Sequence, residues 1–177
     1  MIDTLKTFFI ASILRMMSWV PLRLLHKFAD LMARLVFALP TETRRITLIN
    51  LKLVFPSLSE SERRNLALHS IQETFKAAFE LGRIWYGSIE DALSQVKDVQ
   101  GLELVKSAQL SGRGIIIAAP HLGNWELLGM YISSLGPMTT LYKPPKIKGL
   151  DRLILTSRSR AGAELVPSNR HGVVSLT

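Results

Sequence analysis

From Gly101 onward the spacing of the apolar residues alternates between the rhythm of a helix and that of a strand, which restricts the chain to few folds. Leu102 to Leu110 reads as a short helix. Ser-Gly-Arg-Gly follows, then Ile115-Ile116-Ile117-Ala118-Ala119, a continuous apolar run led by β-branched residues. Such a run predicts a strand buried on both faces. Pro120-His121 breaks it, and a helix is expected from about Asn124 to Ser134. Met138 to Tyr142 reads as a second strand. A basic loop then leads to a helix around Leu150 to Ala161 and a strand near Ala163 to Val166. The alternation implies a layered α/β fold.

The N-terminal part follows a different rule. Thr7 to Val20 (TFFIASILRMMSWV) carries one charge, Arg15. As a helix it measures about 21 Å, short of the roughly 30 Å hydrocarbon core of a bilayer. After Pro21 a second apolar segment runs to about Leu39. In it Arg23, His26, Lys27, Asp30 and Arg34 recur at helical intervals and form one stripe, with Leu24, Leu25, Phe28, Leu31, Leu35 and Val36 around it. Asp30 and Arg34 are spaced for an ion pair within the helix. A basic stripe beside a broad oily face suits a helix lying in the bilayer interface, with a tilted span or a purely core-packed helical pair as the alternatives. No small-x-small cleavage site follows the run, which argues against a cleaved signal peptide. The mean hydropathy, +0.22, is high for a soluble domain, largely because of these first residues. Residues 1–39 are therefore expected to form a membrane anchor and residues 40–177 the α/β domain.

Between them, residues 40–58 read as a connector with some helix, closing at Phe55-Pro56-Ser57-Leu58. Ser59 and Glu62 have the spacing of a capping box. The helix they open should run to about Trp85, with Leu66, Ile71, Phe75 and Phe79 inward and Gly87 at its end.

Lys and Arg number 22 against 14 Asp and Glu, a net charge of +8, so acidic partners are favoured. Nucleic acid is the weakest candidate: the chain has no zinc-finger spacing, basic heptad region or aromatic RNA-binding signature. There is no cysteine, which excludes disulfides and thiolate metal sites and fits a cytoplasm-facing domain. No three His or carboxylate residues show metal-ligand spacing, so no metal is expected.

The segment with most chemistry is Pro120-His121-Leu-Gly-Asn-Trp-Glu126. A strand would deliver His121 at its carboxyl end, where α/β folds place ligands. Asn124 can cap the next helix and put Glu126 in its first turn. On one continuous helix, residues five apart point about 140° away from each other, so the two meet only if His121 lies outside the helix. Gly123 gives the bend its freedom. Glu126 could then hold one imidazole nitrogen while the other takes a proton from an alcohol, with the helix N-terminus supporting an oxyanion. With no cysteine and no G-x-S-x-G elbow, direct attack by an activated hydroxyl fits better than a covalent acyl-enzyme. The plainer reading of Glu126 is a carboxylate favoured by the helix dipole.

Taken in order, these residues resemble the bacterial lipid A late acyltransferases, the lauroyl and myristoyl transferases within the lysophospholipid acyltransferase superfamily. His121 and Glu126 match the family's H-x4-D/E motif. Asn50-Leu51 and Phe55-Pro56-Ser57-Leu58 look like its upstream elements, and Tyr142-Lys143-Pro144 is similar to its Tyr-Arg-Pro. Arg158 matches its functional arginine, with Arg160 the second member of Arg-x-Arg. Lys143 departs from the family's arginine, keeping the charge and losing the bidentate fork. The family also continues through a second acidic motif, Asp-Gln or Asp-His. The resemblance thus implies a chain that stops at Leu176-Thr177 inside a further helix, its acyltransferase fold incomplete at the C-terminus.

What the resemblance implies is transfer of a fatty acyl group from acyl carrier protein to a hydroxyl of an acylated, phosphorylated glucosamine disaccharide, without a cofactor. The setting would be the cytoplasmic face of a Gram-negative inner membrane. His121 and Glu126 are the expected catalytic residues; Asn124, Lys143, Arg158 and Arg160 are the expected substrate-binding ones. Independently, Tyr142 to Arg160 holds Lys143, Lys146, Lys148, Arg152, Arg158 and Arg160 against one acid, Asp151, a surface suited to phosphates or an acidic carrier. Two other readings remain: a glycerolipid acyltransferase of the same chemistry, and a non-catalytic membrane-associated remnant.

Overall fold

A computed structural model describes residues 2–175, which form nine helices and two strands. Two compact units divide them, Phe8–Tyr86 and a second made of Gly87 onward together with the first residues up to Thr7.

The first unit is helical: α1 (Ile2–Ser18, entering it at Phe8), α2 (Leu22–Ala38), α3 (Glu42–Val54) and α4 (Glu60–Tyr86). The capping box opens α4 as its spacing predicts. Ser59 N donates to the Glu62 carboxylate at 2.9 Å, and Glu62 N donates to Ser59 Oγ at 3.3 Å. The Ser59 hydroxyl, donating to the same carboxylate at 2.6 Å, and then the Ser59 N–H hold the Glu62 carboxyl below the usual glutamate range. Inside the unit, α2 buries Leu25, Ala29 and Ala33. These recur every fourth residue, so a narrow stripe faces α4 and the alanines allow close approach. The flanking polar residues pair across to α4, His26 with Glu80 at 2.5 Å and Asp30 with Lys76 at 3.4 Å, while Phe28 stacks on Phe79. Asp30 was expected to serve Arg34 along its own helix; Lys76 is the partner the structure supplies. Leu24, Phe28, Leu31 and Leu35 of α2 remain about half exposed.

Ala67, Ile71, Gln72, Gly82 and Ile84 are the buried residues of α4. Leu66, expected inward, stays exposed because its neighbour Ala67 occupies the packed face. A Cβ at Gly82 would overlap the Leu14 carbonyl oxygen and lie 2.7 Å from Met17 Cβ, so glycine is required for α1 to approach α4.

The second unit contains α5 (Ile89–Leu93), α6 (Leu102–Leu110), α7 (Trp125–Ser134), β1 (Met138–Tyr142), α8 (Lys148–Arg158), a 3-10 turn (Ser159–Ala161), β2 (Ala163–Pro167) and α9 (Arg170–Val174). β1 and β2 pair in parallel, Met138 opposite Ala163 and Tyr142 opposite Pro167. Parallel pairing requires a crossover, and α8 provides it. Gly162, at φ 98°, turns the chain from the 3-10 turn into β2.

The predicted strand Ile115–Ala119 does not form. Among the described residues the sheet has two strands, β1 and β2, and the isoleucine run joins neither. Ile116 is 99% exposed. A β-branched run favours a pleated, half-buried surface but needs a neighbouring strand to supply it. His171 lies in α9, whose N-terminus Asn169 caps. The expected interruption of a helix at Leu176-Thr177 lies outside the described residues. The fold is thus mostly helical with a small parallel sheet, compatible with an α/β acyltransferase.

Candidate active site

The turn 120–124 and the start of α7 build the site. Asn124 caps α7, its Oδ1 accepting from Leu127 N at 3.0 Å, and Gly123 bends the chain at φ 59°. Leu122 N closes the turn on the Pro120 carbonyl at 2.8 Å. His121 therefore lies outside the helix and is exposed, with Glu126 in the first turn of α7.

Glu126 is buried, its side chain 4% exposed. Its carboxylate is gripped by Arg158, from the end of α8. Arg158 Nε donates to both oxygens at 3.1 Å, and Nη2 donates to Oε1 at 2.5 Å. A fork of donors on a carboxylate is the strongest kind of ion-pair hydrogen bonding. The Arg158 side chain is 27% exposed, so the pair sits at the edge of the unit.

Trp125 lies between the two expected catalytic positions and touches both ends of this arrangement. Its ring centroid is 4.8 Å from that of His121 and 5.2 Å from the Arg158 guanidinium carbon. The structure thus joins His121, Trp125, Arg158 and Glu126 into one chain of contacts. Of these four, Trp125 is the one that the sequence motifs do not single out. Its i+4 spacing from His121 was the available signal, but the arrival of Arg158 from α8 was not visible there.

Arg160 donates to the Gly87 carbonyl at 2.6 Å, fastening the 3-10 turn to the residue that begins the unit. Lys143 follows β1 and is exposed. Tyr142, just before it, is buried, and burial, with the charge of Asp151 adding to it, pushes its hydroxyl pKa up. No group of three potential metal-binding side chains occurs among the described residues.

This arrangement presents an exposed imidazole at the mouth of a helix N-terminus, backed by a buried carboxylate and a cation. Such a group can accept a proton from a hydroxyl, and the cation and helix end can favour an anion beside it. The family of bacterial lipid A biosynthesis acyltransferases matches residues 1–175, and the chain belongs to that family. Among curated relatives, it is 27% identical to the lipid A biosynthesis palmitoleoyltransferase of Escherichia coli over 71% of this chain and 41% of the relative. It is 26% identical to the lauroyltransferase of the same organism, over 66% and 38%. It is also 31% identical to a phosphatidylinositol mannoside acyltransferase of Mycolicibacterium smegmatis, over 57% and 32%. The chain spans less than half the length of these relatives.

Proposed function

We propose that this chain carries the general-base site of a lipid O-acyltransferase that moves a fatty acyl group from acyl carrier protein to a hydroxyl of a lipid A precursor. The observation that carries the reading is the exposed His121, joined through the Trp125 ring to the buried Glu126–Arg158 pair, in a chain of this family. His121 takes the proton of the acceptor hydroxyl as its oxygen attacks the thioester carbonyl carbon. The N-terminal end of α7 and the Arg158 charge stabilise the oxyanion that forms. When the carbonyl re-forms, the carbon–sulfur bond breaks and the proton passes from His121 to the departing thiol of the carrier. No bond to the protein is made at any step.

Glu126 steadies the imidazole. A carboxylate has about four lone-pair sites, so bonding to Arg158 does not by itself exhaust its capacity for the His121 ring. Lys143, Arg160 and Asn124 belong to the substrate side of the site, the first as a phosphate contact and the other two by holding its frame.

The N-terminal helices hold the protein on a membrane, with the catalytic unit on the cytoplasmic face of a Gram-negative inner membrane. Support comes from Leu24, Leu31 and Leu35 of α2, each about half exposed. No described helix is long and apolar enough to cross a membrane, and in-plane contact requires none.

Likeness to the mannoside acyltransferase supports a second acceptor class, the hydroxyl of a mannosylated phosphoinositide. The test is transfer from labelled acyl carrier protein to either acceptor, with His121→Ala beside the unaltered protein. Loss of about 10²–10⁴-fold is expected. A mutant rate close to normal would remove His121 from the mechanism, and no transfer by the unaltered chain would favour a non-catalytic role.

A further inference from the structure

We infer that α3 is a second membrane contact, an interfacial helix that binds anionic phospholipid, separate from residues 1–39. The inference rests on the membrane setting proposed above. In α3 one face packs and the other is bare. Arg44, Thr47, Leu48 and Leu51 are partly covered, on the side toward α4, and no residue of the helix is fully buried. The opposite face carries Ile46, Ile49 and Leu53 at i, i+3 and i+7, exposed by 48%, 45% and 75%, and Val54 and Phe55 extend the apolar surface past its end. Leaving such a stripe in water is unfavourable, and nothing within the unit covers it.

Cations border the stripe. Lys52 is exposed beside Leu53, and a hollow of about 310 Å³ is lined by Leu48, Ile49, Lys52, Glu60, Arg63 and Arg64, three cations to one acid. Arg64 also lies over the Phe37 ring, 5.8 Å from its centroid, which holds its charge near the helix junction. Aliphatic side chains with cations at their border match the bilayer interface, where the stripe enters the acyl region and Lys52 and Arg64 meet phosphate. Arg45 contributes less, because Glu42 accepts from it at 2.9 Å.

Because the sequence has no cysteine, L53C can carry a single polarity-sensitive fluorophore in the full chain. Vesicles of phosphatidylcholine with phosphatidylglycerol are expected to shift its emission to the blue. K52Q/R64Q should weaken affinity for those vesicles about 25-fold, roughly fivefold per cation, with little change on phosphatidylcholine alone. The unlabelled I49S/L53S should lose about tenfold or more on both vesicle types. All these side chains are exposed or partly exposed, and unchanged far-ultraviolet dichroism would show that the variants fold. If the chain binds vesicles while the probe stays unshifted and both variants bind normally, α3 is not the contact and the N-terminal anchor stands alone. If the unaltered chain binds no vesicle, the membrane setting falls with it. A shift produced only by acyl carrier protein, or only by raising the chain's own concentration, would assign the face to a protein and overturn the inference.

Discussion

Arg158, in the last turn of α8, meets Glu126, in the first turn of α7, through two of its nitrogens, with both carboxylate oxygens engaged and Nη2 2.5 Å from Oε1. The two residues are 32 positions apart in sequence. The bond therefore ties the crossover helix to the helix that begins at the site. Removing one partner of a pair this well covered is expected to cost about 2–4 kcal/mol, less than the full buried-pair penalty because Arg158 is partly exposed. Chemical denaturation of R158A, E126A and the double variant checks this. The double variant should lose less than the sum of the two.

Trp125 supports His121 on one side and Arg158 on another. Trp125→Ala should lower transfer by about tenfold, by freeing the imidazole and removing a cation–ring contact of about 0.5–2 kcal/mol. Trp125→Phe keeps a ring in place and should recover most of the rate. Equal rates for both variants would reduce Trp125 to packing.

Gly82→Ala should destabilise the helical unit by about 1–3 kcal/mol, since the added methyl meets the Leu14 carbonyl backbone. The usual helix-propensity gain of alanine over glycine, about 1 kcal/mol, is outweighed there. Thermal melting of the variant reads the outcome directly, and an unchanged or higher Tm would show that α1 shifts freely.

Ser59 sets a pH dependence. Its hydrogen bonds lower the Glu62 pKa in the folded protein. The unfolded state therefore binds the proton more readily, and the stability contributed is present above the ordinary glutamate pKa and lost as pH falls through the folded value. Ser59→Ala should lower Tm at neutral pH, with the gap narrowing under acid. A carboxyl NMR titration should find Glu62 moved up toward its ordinary range in that variant.

Several local signals were legible in the sequence where one segment contained both partners. Ser59 with Glu62 marked the start of α4, Asn124 marked that of α7, and Met138–Tyr142 stood out as β1. The Pro120 break and the Asn124 cap likewise left His121 ahead of α7. What stayed hidden depended on distant chain. Ile115–Ala119 has strand chemistry, but pairing depends on a neighbour, and β1 and β2 pair with each other instead. His26 with Glu80, Asp30 with Lys76 and Arg158 with Glu126 are likewise contacts between elements, set by packing and not by spacing. Residues 40–58 read as a connector because the α3 pattern is apolar on its outward side and so resembles neither a buried helix nor a polar loop.

The bare Ile115–Ala119 segment has a cost in solution. Apolar, uncharged and without proline, it has the composition that lets identical segments stack strand on strand. Pro120 ends the segment on one side, and Arg113 stands two residues before it as a gatekeeping charge on the other. Self-association of the purified chain should accordingly begin there, and a lysine in place of Ile116, which touches almost nothing in the fold, should raise the concentration at which the chain stays monomeric.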